Sequence, residues 1–306
     1  SGDLQRLLQL QQEGAGAVVL HSLFLEQIER DWKEWIHHQE SSSESHPEAT
    51  SYLPASEPEH LGLEGYLKEI ERTQAALSIP VIASLNGNHP GHWRDAAIAL
   101  EQAGASAIEL NLYSVPTSTS RSGAELEAEQ LEIVRQVCGA VHLPVAVKLS
   151  PFYTALAAMT RALAQAGARG AVLFNRFLQP EVNIDTLETD GHLELSHPEE
   201  QRLPLRWIGL LHGRVELELA ASTGIHSGRD VLRMLMVGAQ TCQVVGTLLR
   251  QGPGQLQRMH EELIQWMEEQ QIDNLTSIRG SLSQQRSPNP EAFERAQYRR
   301  VLSSYS

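Results

Sequence analysis

The sequence predicts an α/β protein, a (β/α)8 TIM barrel lacking its first strand in this sequence, with residues 1–306 forming a single domain. Three observations lead there. Four times a helical pattern ends in Gly-Ala and an apolar run follows at once. Amphipathic helical stretches alternate with these runs, the signature of a parallel sheet. Seven runs are present where a closed barrel needs eight, and the chain opens with "SGDLQRLLQLQQEGA", directly on a helix-capping pattern. The first strand is therefore expected upstream of Ser1. An open doubly wound sheet is the competing architecture.

The first run, "EGAGAVVLH" (residues 13–21), follows the opening helix and is expected to end at His21 and Ser22. Its glycine suits the left-handed cap of a helix, and its Val/Leu content suits a strand buried on both faces. "QAGASAIELN" (102–111), "QAGARGAVLFN" (165–175) and "VGAQTCQVVG" (237–246) repeat the recipe. Two strands arrive by another route, "SIPVIASLNGN" (78–88) and "HLPVAVKLS" (142–150). A further strand, "VELELAASTGI" (215–225), follows a longer loop. Between them, "HWRDAAIALEQAGA", "GAELEAEQLEIVRQVCGAV", "YTALAAMTRALAQAGA" and "SGRDVLRMLMVGA" carry apolar residues at three- and four-residue steps. The last opens with Ser227 and Asp230 in capping-box spacing. A final helix, "GPGQLQRMHEELIQWMEEQQ", places Leu256, Met259, Leu263 and Met267 in one stripe.

Three regions depart from the alternation. Residues 39–62, rich in Ser, Glu and Pro, hold too little apolar surface to offset their ordering entropy and are expected to form a mobile excursion. Their histidines, with His37 and His38, have no fixed ligand spacing, so no metal site is expected. Residues 178–215 are too long for a simple connection and are expected to form a flap or hairpin over one barrel end. The tail, residues 276–306, is expected to dock on the barrel or on a partner subunit.

Composition excludes several classes. A net charge of −14 argues against nucleic acid and anionic membranes as partners, and no window supplies the ~18 uncharged apolar residues of a membrane span. Cys138 and Cys242 stand in no metal-type spacing, which fits a reduced, cytoplasmic setting.

In such a barrel the chemistry lies at the carboxyl ends of the strands. Those ends present His21 and Ser22; Asn86, Gly87 and Asn88; Asn111 with Ser114; Lys148; Asn175 and Arg176; Ser222, Thr223 and Gly224; Gly246 and Thr247. A lone strand-end asparagine is often a turn former, but three on three strands point to a ligand. Lys148 lies among core residues, and burying an ammonium without a partner is costly. A structural ion pair with Glu109 stands as the alternative to a catalytic role. Ser114, taken alone, reads as a loop serine. The Gly and hydroxyl residues after the last two strands place backbone N–H groups where this fold binds phosphate. Neither a Walker-type nor a dinucleotide fingerprint occurs, which favours a mononucleotide or sugar phosphate.

The segments "IELNLYS", "PVAVKLSPF", "VLFNRF", "ASTGIHSGRDVLRMLMVGA" and "VVGTLLRQGPG" resemble, in order and over nearly the whole chain, the dihydroorotate dehydrogenases. These are FMN-containing (β/α) barrels of pyrimidine biosynthesis. The tail "RGSLSQQ…PEAFERAQY" is similar to the bacterial dihydroorotate dehydrogenase-like branch. The resemblance implies an oxidoreductase that passes hydride to FMN, with Lys148 and Asn111 beside the flavin. It implies phosphate binding by Ser222, Thr223, Gly224, Gly246 and Thr247. It also implies substrate amide contacts from Asn86, Asn111 and Asn175, and a base at Ser114. A homodimer or a redox partner protein is implied in the same way. The departures are His21 where the family carries Lys, Arg176 where a small hydroxyl is usual, and a base loop altered to Asn111-Leu-Tyr-Ser-Val-Pro-Thr. They leave dihydroorotate or another small anionic cyclic amide as substrate. Two other readings stand beside this one: a catalytically lapsed barrel serving as scaffold in a redox complex, and a lyase or aldolase with Lys148 as Schiff base.

Overall fold

The computed structural model describes residues 3–25, 62–87, 92–177, 179–190 and 194–294, together with 298, 302 and 303. The Ser-rich excursion, apart from Gly62, lies outside the described residues, as does Asn88. The first half of the chain runs α1 (Leu4–Gln12), β1 (Val18–Phe24), α2 (Leu63–Ala76), β2 (Val81–Asn86), α3 (Trp93–Gln102), β3 (Ala107–Asn111), α4 (Gly123–Ala140), β4 (Val145–Leu149), α5 (Leu156–Gln165) and β5 (Gly170–Leu173). Then follow β6 (Glu181–Asn183), β7 (Glu188–Asp190), α6 (Arg202–Leu211), β8 (Glu218–Ala221), α7 (Gly228–Val237), β9 (Thr241–Cys242), α8 (Gly246–Gln251), α9 (Gln255–Glu269) and α10 (Leu275–Ile278).

Seven strands form one parallel sheet in the order β1-β2-β3-β4-β5-β8-β9. The Gly-Ala repeat builds it as its chemistry requires. Gly14, Gly104, Gly167 and Gly238 all have positive φ. The alanine after each closes the helix with a six-residue bond: Ala15 to Leu10, Ala105 to Leu100, Ala168 to Leu163 and Ala239 to Met234. Each helix therefore stops at the same point and releases the chain straight into a strand.

The sheet is curled. Lys148 on β4 donates its ammonium to Gln243, the residue after β9, at 3.1 Å. In a flat sheet these strands would stand about 14 Å apart, three steps of about 4.8 Å, with side chains roughly perpendicular to the sheet. Only a barrel wall brings them into contact, so the open doubly wound alternative fails. The two faces differ in chemistry. Leu85, Leu110, Val147, Leu149, Leu173 and Leu219 are buried on the helix-facing side. Ser22, Ser84, Glu109, Asn86, Asn111 and Lys148 alternate with them and face the lumen, where Ser22 and Ser84 share a hydrogen bond at 2.8 Å.

Three elements differ from the sequence expectation. First, β1 runs on to Phe24 instead of ending at His21 and Ser22, and it holds a bulge: pairing passes from Val19–Ile82 to Ser22–Ser84, with one extra residue on β1. The hydroxyl of buried Tyr66, on α2, fills the gap. It accepts the Ser84 N–H at 3.0 Å and donates to the His21 carbonyl at 2.8 Å. Second, the apolar run ending "QVVG" is strand only at Thr241–Cys242, and Val245 is already the N-cap of α8. Third, residues 178–215 hold the β6–β7 hairpin and then a full barrel helix, α6, behind a 3-10 turn at Pro198–Gln201. Of the tail, residues 280–284 run along α6 and α7, with Gly280 N–H on Leu235, Leu282 N–H on Met236 and Gln284 N–H on Gly209.

Both cysteines are free thiols, and burial pushes Cys138 up to about 11 and Cys242 up to about 12, far from a reactive thiolate. No helix among the described residues is long and apolar enough to cross a membrane. No cluster of His, Cys, Asp and Glu suited to a metal occurs among them.

Candidate active site

Asn86, Asn111 and Lys148 form one row across the sheet, each the register partner of the next. Their side chains therefore leave the same face at the carboxyl ends of β2, β3 and β4. Asn175 follows β5 by two residues, and its N–H, bonded to Leu149 at 2.7 Å, ties it to the end of β4. Its Nδ2 donates to Asn111 Oδ1 at 2.7 Å. That bond leaves the Nδ2 of Asn111 and the Oδ1 of Asn175 unused among the described residues. One donor and one acceptor side by side match the carbonyl and N–H of a cyclic amide.

Lys148 answers both readings of its sequence. Its Nζ lies 3.4 Å from Glu109, so the ion pair exists. Yet the lysine side chain keeps 19% of its surface open, against 4% for Glu109, so the cation still reaches the lumen. Gln243 completes a triangle: its Oε1 accepts from Lys148 and its Nε2 donates to Glu109.

Ser114 is half-buried in the β3–α4 loop and has no hydrogen-bond partner among the described residues. Three aromatic rings gather beside it. Tyr113 and Phe177 stand 4.7 Å apart between ring centroids, and Phe152 meets Phe177 edge-on at 4.9 Å. Each follows a polar residue of the site by a few positions: Tyr113 after Asn111, Phe152 after Lys148, Phe177 after Asn175. The three rings thus sit on the loops that follow the strands bearing the amide pair and the cation.

The glycine loops after β8 and β9 also lie together, since Ala221 and Cys242 are register partners. Thr223 and Gly224 both have positive φ, 77° and 75°, and neither donates its N–H to an acceptor among the described residues. Gly246 and Thr247 open α8, where the first N–H groups have no partner within the helix. Ser222 donates its N–H to Leu173, and the Thr223 hydroxyl donates to the Phe174 carbonyl at 3.3 Å. These loops thus leave four N–H groups without acceptors among the described residues, while the space beside the glycines is taken by the Gln201 backbone at Gly224 and by Ser196 at Gly246.

The start of α7, by contrast, is already filled. Asp230 accepts from the N–H groups of His226 and Ser227 and from the Ser227 hydroxyl, and Glu262 accepts from Gly228 N–H at 2.8 Å. Burial alone would raise the Asp230 pKa; the bonds from Gln201, His226 and Ser227, with Arg233 nearby, outweigh it and lower the value. An anion here would face two carboxylates, whereas the loops and the start of α8 present none of these.

Two expected residues lie elsewhere. His21 sits at the β1 bulge and turns to α2, its Nδ1 3.7 Å from Glu69. Arg176, expected to add a cation to the clasp, is engaged by Glu200 at 3.2 Å. Gln243 and the three aromatic rings had no place in the sequence reading. The only signal for Gln243 is a lone amide inside "TCQVV".

The family model described as "Dihydroorotate dehydrogenase" matches residues 57–267. Among similar proteins, one from Geobacter sp. (strain M21) named "Dihydroorotate dehydrogenase B (NAD(+)), catalytic subunit" is 30% identical over 233 residues, 73% of this chain and 75% of that one. A protein of Aeropyrum pernix, assigned as a dihydroorotate dehydrogenase A (fumarate), is 30% identical over 219 residues, 70% of this chain and 71% of its own. A catalytic subunit of the B (NAD(+)) type from Citrifermentans bemidjiense is 29% identical over 233 residues, with 73% and 75% covered. The match over residues 57–267 and these relatives show that the chain belongs to the dihydroorotate dehydrogenase family.

Proposed function

We propose that the protein is an FMN-dependent oxidoreductase that removes two hydrogens from a CH–CH bond of dihydroorotate or a related small anionic cyclic amide. The observation that carries this reading is the Asn111–Lys148 row with Asn175 bonded across it. An amide donor, an amide acceptor and a cation meet at one rim, beside unpaired N–H groups fit for a phosphate.

The residues fit the cofactor. Thr223, Gly224, Gly246 and Thr247 would hold its phosphate through backbone N–H groups, with Ser222 shaping the loop. Lys148 stands where a cation favours a reduced, anionic ring. When bound, FMN supplies the hydride acceptor. Asn86, Asn111 and Asn175 orient the substrate ring through its amide edges. Tyr113, Phe152 and Phe177 would offer that ring an apolar border. Ser114 is the residue suited to relay the proton from one ring carbon, passing its own hydroxyl proton to solvent as it accepts that one; the hydride of the next carbon would go to the acceptor that FMN supplies, and a C=C bond would remain. The aromatic rings at these strand ends support a planar substrate. The names of the relatives include a catalytic subunit, which supports a redox partner protein for this chain.

The test is direct. The purified full-length protein is expected to carry a yellow flavin with absorbance near the usual oxidised bands, and anaerobic dihydroorotate is expected to bleach it. A colourless protein that takes up no FMN ends the reading; a yellow one that ignores dihydroorotate leaves the flavin and removes the substrate.

A further inference from the structure

We infer that Gln243 is a positioning residue for the reaction: it holds the Lys148 ammonium at the lumen rim, and so sets how strongly the protein favours a reduced flavin. The inference rests on the flavin reading above and deepens it.

The amide of Gln243 has only one sensible orientation. Glu109 is an acceptor only, so the amide NH2 must face it, which leaves Oε1 to accept from Lys148 at 3.1 Å. This does two things. It occupies one oxygen of the buried Glu109 carboxylate, leaving the other to hold Lys148 at a long 3.4 Å. It also draws the ammonium across the lumen towards β9. Two of the three ammonium protons are thereby committed, and the third remains for an acceptor at the mouth.

Glu109 precedes Asn111 by two residues on β3, so it lies about 7 Å deeper in the barrel. Without the amide, its bare carboxylate oxygen would sit in a dry site and pull the ammonium towards it, away from the Asn111–Asn175 pair. The cation would then stabilise a bound anion less.

The measurement is the two-electron midpoint potential of the FMN-loaded protein, with FMN affinity followed by fluorescence quenching. Gln243→Met keeps the volume and removes both bonds. It is expected to cut the preference for reduced over oxidised flavin about tenfold, a fall of about 30 mV for a two-electron couple. Gln243→Glu adds a negative charge at the same place and is expected to move the potential in the same direction. Adding Glu109→Gln to Gln243→Met removes the carboxylate that captures Lys148, and is expected to restore the potential. A residue with only a structural role would show no such rescue. A wild-type potential in both single variants, or no recovery in the double variant, overturns the inference while the flavin reading stands. A wild-type protein that takes up no FMN overturns both.

Discussion

His212 ends α6, and burial lowers its pKa below the usual histidine value, helped by the positive charges of Arg286 and Arg279. His226, in the loop after β8, is lowered by burial and then by Arg250. Both rings thus take a proton less readily in the fold than in the unfolded chain, where histidine protonates near 6.5. The unfolded state binds more protons in that window, so stability rises with pH there. It is fully present above 6.5 and is lost as pH falls through the folded values. Urea unfolding is expected to give a lower midpoint at pH 5.5 than at pH 7.5, and His212→Asn is expected to shrink that difference. At this scale the site was half legible. Asn111, Lys148 and Asn175 stand out because strand ends carry chemistry in a barrel. Gln243 did not, because its partners lie 95 and 134 residues away and only the curl of the sheet brings them near.

Among the elements, α7 depends most on one side chain. Asp230 satisfies the N–H groups of His226 and Ser227, receives Gln201 Nε2 at 2.8 Å and pairs with Arg233. It joins the helix start, the 3-10 turn and the loop bearing Gly224. Asp230→Ala is expected to cost about 2 kcal/mol in chemical unfolding, since a buried cap and its partners are lost together. The capping box was readable from Ser227 and Asp230, and the four Gly-Ala helix ends from their spacing. Helix α6 was not. It lies in a stretch expected to form a flap or hairpin, and its Pro204 falls in the first turn, where a missing N–H costs nothing. Strand β9 shrank for a different reason: Val244 and Val245 look like strand, yet the ladder ends with Gln243 N–H on Ala221, and Val245 is exposed.

For the molecule as a whole, the segment after α10 acts as a strap. Three backbone bonds fasten residues 280–284 to α6 and α7, Ser283 and Gln284 are buried, and Phe293 lies over Gly209 so closely that a side chain there would strike the ring. A chain ending at Arg279 is expected to melt about 5 °C lower or more, measured by calorimetry. The alternation of strands and helices was legible because it is local; docking of the tail was expected, but not which helices it fastens, because those lie far away in the chain. The bulge beside Tyr66 has a wider meaning. A strand that pairs without interruption after Val19 would set His21 against Ser84 and Leu23 against Asn86, turning an imidazole into the barrel. The extra residue, held open by one phenol, exchanges those places for Ser22 and Phe24. One hydroxyl group on a neighbouring helix thus chooses which side chains the first strand contributes to the interior.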